Sequence, residues 1–249
     1  MDVAARARDF VRVAGPDAAD YLQRMVSNDV EALTDGEACP ALLLTAKARV
    51  IAPLVVLRRA DEDFLLLTEA GLGETVRGHL ARMRLRAQCE IEPEVHGSVL
   101  VFGGGDGFAT DWPGAREALD VGLEPTLSEE DLELRRIENG VPRWAHEIDD
   151  RILPAEAGLD ETHVSFSKGC YPGQEPVARL HFRGHPNRGL RVLELDDVPE
   201  QDASLLHHGR EVGRVTSAVR RDDGTVVALA YVRTEVPGDA PLAVAARAG

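Results

Sequence analysis

Near the N-terminus three apolar runs follow one another with little between them: ALLL at 41–44, VIAPLVVL at 50–57 and FLLLTEA at 64–70. TAKAR separates the first two and a DED turn precedes the third, so the runs are expected to form an antiparallel meander. Pro53 cannot donate to a ladder, which places it at an edge or a bulge. FVRV at 10–13 reads as a further strand, followed by a GPD turn into a helix. Asp17 is its expected cap, Leu22, Met25, Val26 and Val30 follow at helical spacing, and it frays at Ser27-Asn28-Asp29.

Residues 73–86 have the pattern of a helix with Val76, Leu80 and Met83 inward and arginines outward, a basic face read as solvated surface. CEIEPE and SVLVFGG restore strand character, whereas 103–122 is loose and rich in glycine. Its GGGDG run lacks both phosphate-loop spacings and reads as a turn. Ser128 caps a helix through EEDLELRRIEN, with Asp131 completing the capping box and Gly140 and Pro142 ending it. Glu138 falls in the last turn, against the helix dipole. It is either a residue with a task or a solvated carboxylate beside Arg135 or Arg136.

From Gly189 the chain turns to short β runs, LRVLEL, REVGRVTSAVR, TVVALAYVR and PLAVAA, a spacing that suggests a small barrel or sandwich. The boundary lies near His185, giving an α+β module over 1–184, loosely connected near 93–127, and a β-barrel over 185–249. The net charge of −15 argues against capture of nucleic acid or anionic lipid. No run approaches the roughly 18 apolar residues of a membrane span. The N-terminal apolar run is too short for a secretory signal, and three scattered cysteines argue against a disulfide framework, so the expected compartment is the cytoplasm.

One stretch is unlike scaffold: SFSKGCYPGQEPVARLHFRG, residues 165–184. Gly169, Pro172 and Gly173 put Cys170 in a turn, and the ammonium of Lys168 is close enough in sequence to favour a thiolate. A lone cysteine is more often buried and inert, so the residues alone leave both readings open. His163, His181 and His185 flank the stretch without a spacing that singles out a base or a metal ligand.

KGCYPGQE resembles the signature of the YgfZ-type folate-binding proteins, relatives of the glycine cleavage T-protein, an aminomethyltransferase. FVRVAGPDAADYLQRMVSNDV, LLLTAKARV, RRIENGVPRW, ILPAEAGL and GREVGRVTSAVRRDDGTVVALAYVR fit the same family in the same order. The resemblance implies a T-protein-like module of mixed subdomains followed by a small β-barrel, around a central cavity for tetrahydrofolate. It implies a role in maintaining iron–sulfur enzymes, including ones that modify tRNA, with folate and iron–sulfur enzymes or assembly factors as partners. By that resemblance Glu138 reads the pterin, Lys168, Tyr171, Gln174, Glu175 and Arg179 line or shape the cavity, and Cys170 is the functional thiol. Where the T-protein carries its transferase aspartate, this chain has Ala52-Pro53, which weakens the alternative of a folate-dependent one-carbon transferase.

Overall fold

The structure is a computed structural model describing residues 1–200 and 202–245. The three apolar runs become β3 (Ala38–Leu44), β4 (Val50–Ala60) and β5 (Asp63–Glu69), the expected meander. With β2 (Arg8–Ala14) and β6 (Glu90–Glu94) they form a five-stranded antiparallel sheet of order β3-β4-β5-β2-β6. The runs are apolar almost without alternation because both faces are covered. On one face Leu54, Val56, Phe64 and Leu66 pack under α1 (Ala18–Met25) and α2 (Gly73–Met83). On the other Val55, Leu57, Leu65 and Leu67 meet Phe108.

Pro53 stands inside β4, opposite Leu42, not on an edge strand. It is tolerated because β5 pairs with β4 only from Leu54 onward, and the Pro53 carbonyl is met by the Thr68 hydroxyl at 2.9 Å. The register shift on the β3 side falls between Leu43 and Leu44, near Pro53 but not at it. Asp17 sits at the N-cap of α1 but does not cap it; its carboxylate accepts from the Gln88 amide at 2.7 Å. Met83, expected inward, is 46% exposed at the end of α2.

The segment expected to be loose contributes strands. β1 (Asp2–Ala5), β7 (Ser98–Phe102), β9 (Ala115–Leu119) and β8 (Phe108–Ala109) pair in that order as a second sheet. Its junction with the first sheet is ionic. Arg8 holds Glu117 through two hydrogen bonds of 2.9 Å, and Arg6 holds Asp111 at 2.6 and 2.9 Å. Ser98 and Thr110 each donate to Glu117 at 2.7 Å.

α3 (Glu129–Glu138) carries the expected capping box of Ser128 and Asp131, and Gly140 leaves it with a φ of +67°. The C-terminal strands β10 (Arg188–Leu195), β11 (Ser204–His207), β12 (Arg210–Arg220), β13 (Val226–Arg233) and β14 (Ala243–Val244) pair as a sheet of order β10-β13-β12-β11-β14. Among the described residues its hydrogen-bonded order is open, with β10 and β14 at the edges, where a barrel was expected. Leu193 and Leu195 of β10 and Val244 of β14 pack on one apolar cluster, so the sheet curls around it. Ala246, the last residue of the PLAVAA run, and the rest of 246–249 lie outside the described residues. Ile137 and Leu134 of α3 pack on Val227 and Leu229 of this sheet. Among the described residues no helix is long and apolar enough to cross a membrane.

Candidate functional site

The stretch 165–184 is fastened at its N-terminal end to the chain that leaves α1. The Ser165 amide donates to the Ser27 carbonyl at 3.0 Å, and Ser27 Oγ donates to the His163 carbonyl at 2.6 Å. Lys168 Nζ donates to the carbonyls of Val26 and Asn28, both at 2.7 Å. Val26, Ser27 and Asn28, the last two expected as a frayed helix end, therefore offer a row of carbonyls that the loop fills. Burial lowers the Lys168 pKa to about 8, opposed by Asp29, Cys39 and Glu31. The ammonium faces those groups and the carbonyls, so the expected pairing of Lys168 with the Cys170 thiol gives way to a structural anchor.

Tyr171 is buried with Leu42, Leu44, Ala48, Val50 and Tyr231 in one apolar cluster, and its hydroxyl has no hydrogen-bond partner among the described residues. Burial pushes its pKa up to about 12. Gly173 has a φ of +85°, and a Cβ there would stand 2.6 Å from the Thr45 carbonyl oxygen. The PG turn and the TAKAR turn between β3 and β4 thus interlock, and only glycine fits both the backbone angle and the gap. Between the two buried anchors, Lys168 and Tyr171, Cys170 is exposed.

α4 (Gln174–Arg183) follows. Gln174 is half-buried, Glu175 and Arg179 are exposed, and these three make no side-chain hydrogen bond among the described residues. His181 stacks on Phe166 at 3.9 Å. The structure brings together Lys168, Cys170, Tyr171, Gln174, Glu175 and Arg179 as one loop and helix. Glu138 stands elsewhere: it is exposed at the end of α3, and its carboxylate accepts from Arg221 at 2.7 Å. α3 packs against the C-terminal sheet, and its last residue meets Arg221 of the β12–β13 connection.

A cleft of about 630 Å³ opens where the segment 154–156 meets the C-terminal sheet. Glu156, Asn187, Arg188, Arg214, Tyr231 and Arg233 line it. Arg188 and Arg214 lie over the Tyr231 ring, 4.9 and 5.8 Å from its centroid, and Arg188 pairs with Glu156 at 3.2 Å. The Tyr231 hydroxyl donates to the Glu147 carbonyl at 2.8 Å. Tyr231 also belongs to the cluster that buries Tyr171, so the cleft wall and the cysteine loop share one apolar backing. Sequence reasoning passed over these residues because Arg188, Arg214 and Tyr231 sit in runs that read as ordinary strands. One signal was available: Tyr231 is the only aromatic residue after Gly184.

The GCVT N-terminal domain matches residues 4–100. The tRNA-modifying protein YgfZ of Klebsiella pneumoniae is 28% identical over 284 aligned positions, covering 95% of this chain and 86% of that protein. The mitochondrial iron-sulfur cluster assembly factor IBA57 homolog of Pyricularia oryzae is 28% identical, covering 73% of this chain and 54% of its own. The crystal structure of glycine cleavage system aminomethyltransferase T from Bartonella henselae has the same fold, with a TM-score of 0.74 at 19% identity, covering 93% of this chain and 78% of that one.

Proposed function

Because the chain is a YgfZ-type relative of the aminomethyltransferases, we propose that it is a tetrahydrofolate-binding protein that assists maturation or repair of iron–sulfur enzymes, with Cys170 as its functional thiol. The observation that carries this reading is the exposed Cys170 held between two buried anchors, Lys168 and Tyr171. A loop fastened at both ends that presents its thiol to solvent is built for encounter with a partner. A lone thiol cannot complete a four-ligand cluster site, so contact with a cluster is shared or transient. The partners are folate and iron–sulfur enzymes or their assembly factors, and the free thiols suit the cytoplasm.

The cleft beside Tyr231 supports the folate part of the reading. Its size is that of a small-molecule site, Glu156 supplies a carboxylate for the pterin edge, and Arg188, Arg214 and Arg233 supply cations for the glutamate tail. Among the loop residues Lys168 and Tyr171 shape the wall from behind, while Gln174, Glu175 and Arg179 remain available to a ligand or client; Glu138 is bound to Arg221. The transferase alternative is weaker. Ala52, buried in the first sheet, and Pro53, opposite Leu42 of β3, carry no carboxylate at the transferase position.

Calorimetric titration with tetrahydrofolate tests the first half: saturable binding is expected, and Arg214→Ala should weaken it about tenfold, ~1.4 kcal/mol. No binding would end the folate assignment. For the second half, Cys170→Ser should fail to restore iron–sulfur enzyme activity in a strain lacking the protein. Full restoration would remove the thiol from the function.

A further inference from the structure

The basic face of α2 is the motif that the proposed function leaves unused. A cleft of about 650 Å³ runs between the C-terminal end of α1 and the chain leaving α2, on the helix-covered side of the first sheet. Its apolar surface comes from Tyr21, Met25, Met83 and Leu85. Met83 is 46% exposed and Leu85 is 89% exposed. Leu85 has a φ of +49°, a left-handed turn residue that directs the chain out of the helix with its side chain in solvent. The helical period would bury Met83; in this fold it forms a lip.

The rim is basic. Arg24, Arg84 and Arg86 line the cleft, and Arg82 precedes Met83 on the same turn of chain. Arg24 pairs with Asp20, whereas Arg82, Arg84 and Arg86 make no ion pair among the described residues. Asp17 also lines the cleft, with its carboxylate engaged by the Gln88 amide. Arg84 Nη1 donates to the Cys89 carbonyl at 2.9 Å, which holds that guanidinium at the rim without neutralising it, and such an excess of positive charge around an apolar trough is unusual on a chain with net charge −15.

We propose that this cleft docks an acidic amphipathic helix of a partner protein. Apolar side chains at i, i+3, i+4 and i+7 fill the trough beside the adaptable Met25 and Met83, and carboxylates on the helix flanks meet Arg82, Arg84 and Arg86. A polyanion fits less well. The net charge repels it over the whole approach, and the one aromatic ring in the trough, Tyr21, is buried, so the exposed groups are aliphatic and thioether and make no base-stacking platform. A second copy fits less well too, because a two-fold interface would set each arginine rim against itself. The site is distant in sequence from Cys170 and independent of the folate reading.

Selection from a displayed library of helical peptides against the whole chain, counter-selected with the Met83→Asp/Leu85→Asp variant, tests the proposal. Peptides with flanking Asp or Glu around a Leu, Ile or Phe stripe are expected. In fluorescence anisotropy their affinity should fall at least tenfold in Met83→Asp/Leu85→Asp and in Arg84→Glu/Arg86→Glu, and with added salt. All replaced side chains are exposed, and circular dichroism checks that the variants fold. Absence of cleft-dependent binders, binders without acidic residues, or loss in the same variants of binding to an RNA oligonucleotide or of self-association would each overturn it.

Discussion

Between the two N-terminal sheets Arg8 grips Glu117 with both side chains fully buried, whereas the cysteine loop meets the first sheet and the C-terminal sheet through Leu42, Leu44, Ala48, Tyr171 and Tyr231. The first junction is directional. Each charge there depends on a partner that was desolvated with it, and Arg8 Nη1 has none among the described residues. The second is mainly apolar and derives its order from shape, above all from the contact of Gly173 with the TAKAR turn, with the Lys168 bonds to Val26 and Asn28 fastening its edge. The difference suits their positions: a fixed register where layers stack, and a packed apolar backing where the loop presents Cys170.

The largest effect is expected from breaking the ionic junction. Glu117→Ala leaves the buried Arg8 with Asp111 as its one carboxylate within 3.0 Å and should cost about 3 kcal/mol in urea unfolding, while an Arg8→Met/Glu117→Leu double replacement should recover most of it. A double variant as unstable as the single would show that geometry and not desolvation sets the junction. Next, Gly173→Ala forces a side chain into left-handed backbone against the Thr45 carbonyl, with an expected loss of about 1–3 kcal/mol. It should also speed thiol labelling at Cys170 or disorder α4; unchanged labelling and stability would dissolve the proposed interlock.

The pH dependence separates the junctions further. Burial lowers the His163 pKa to about 4, opposed by Asp111 and assisted by Arg8 and Arg6. The unfolded chain, with the ordinary value of 6.5, binds the proton first, so stability from this group falls as pH drops from 6.5 toward about 4. His96 acts in the opposite sense. Burial disfavours its charged form, but hydrogen bonds to Asp120 and Glu94 outweigh that and raise its pKa above 6.5, so its contribution is complete below 6.5 and is lost as pH rises through the folded value. Urea midpoints between pH 4 and 8 should lose their acid limb in His163→Asn and their neutral limb in His96→Asn. The smallest effect is expected at the surface: Arg221→Ala, which frees Glu138, should leave unfolding within experimental scatter and folate binding intact. Loss of folate binding in that variant would return Glu138 to the site.

Much of the apolar junction was legible in the sequence. The meander announced itself because its strands are covered on both faces, and the glycines of KGCYPGQE marked a constrained turn. The ionic junction was not legible. AREAL at 115–119 has no β-branched residue, and its Glu117 looks like any outward-facing carboxylate until Arg8, 109 positions earlier, is folded against it. Met83 failed for a related reason, since helical periodicity assigns a face but not the point at which the neighbouring layer ends. Lys168 was visible as a residue beside a cysteine, yet its partners are backbone carbonyls, which carry no sequence signal.

Those carbonyls belong to Val26 and Asn28, and the bond to Val26 spans 142 positions. The loop therefore has no template of its own: its shape is copied from a surface that must already exist. During synthesis the N-terminal sheet leaves the ribosome first, and the segment that carries Cys170 emerges onto the part of its seat that Val26, Asn28 and the TAKAR turn provide, before Tyr231 completes it. Reversing that order by circular permutation, so that 165–184 is made before 26–49, should slow acquisition of the native loop while leaving its final structure the same.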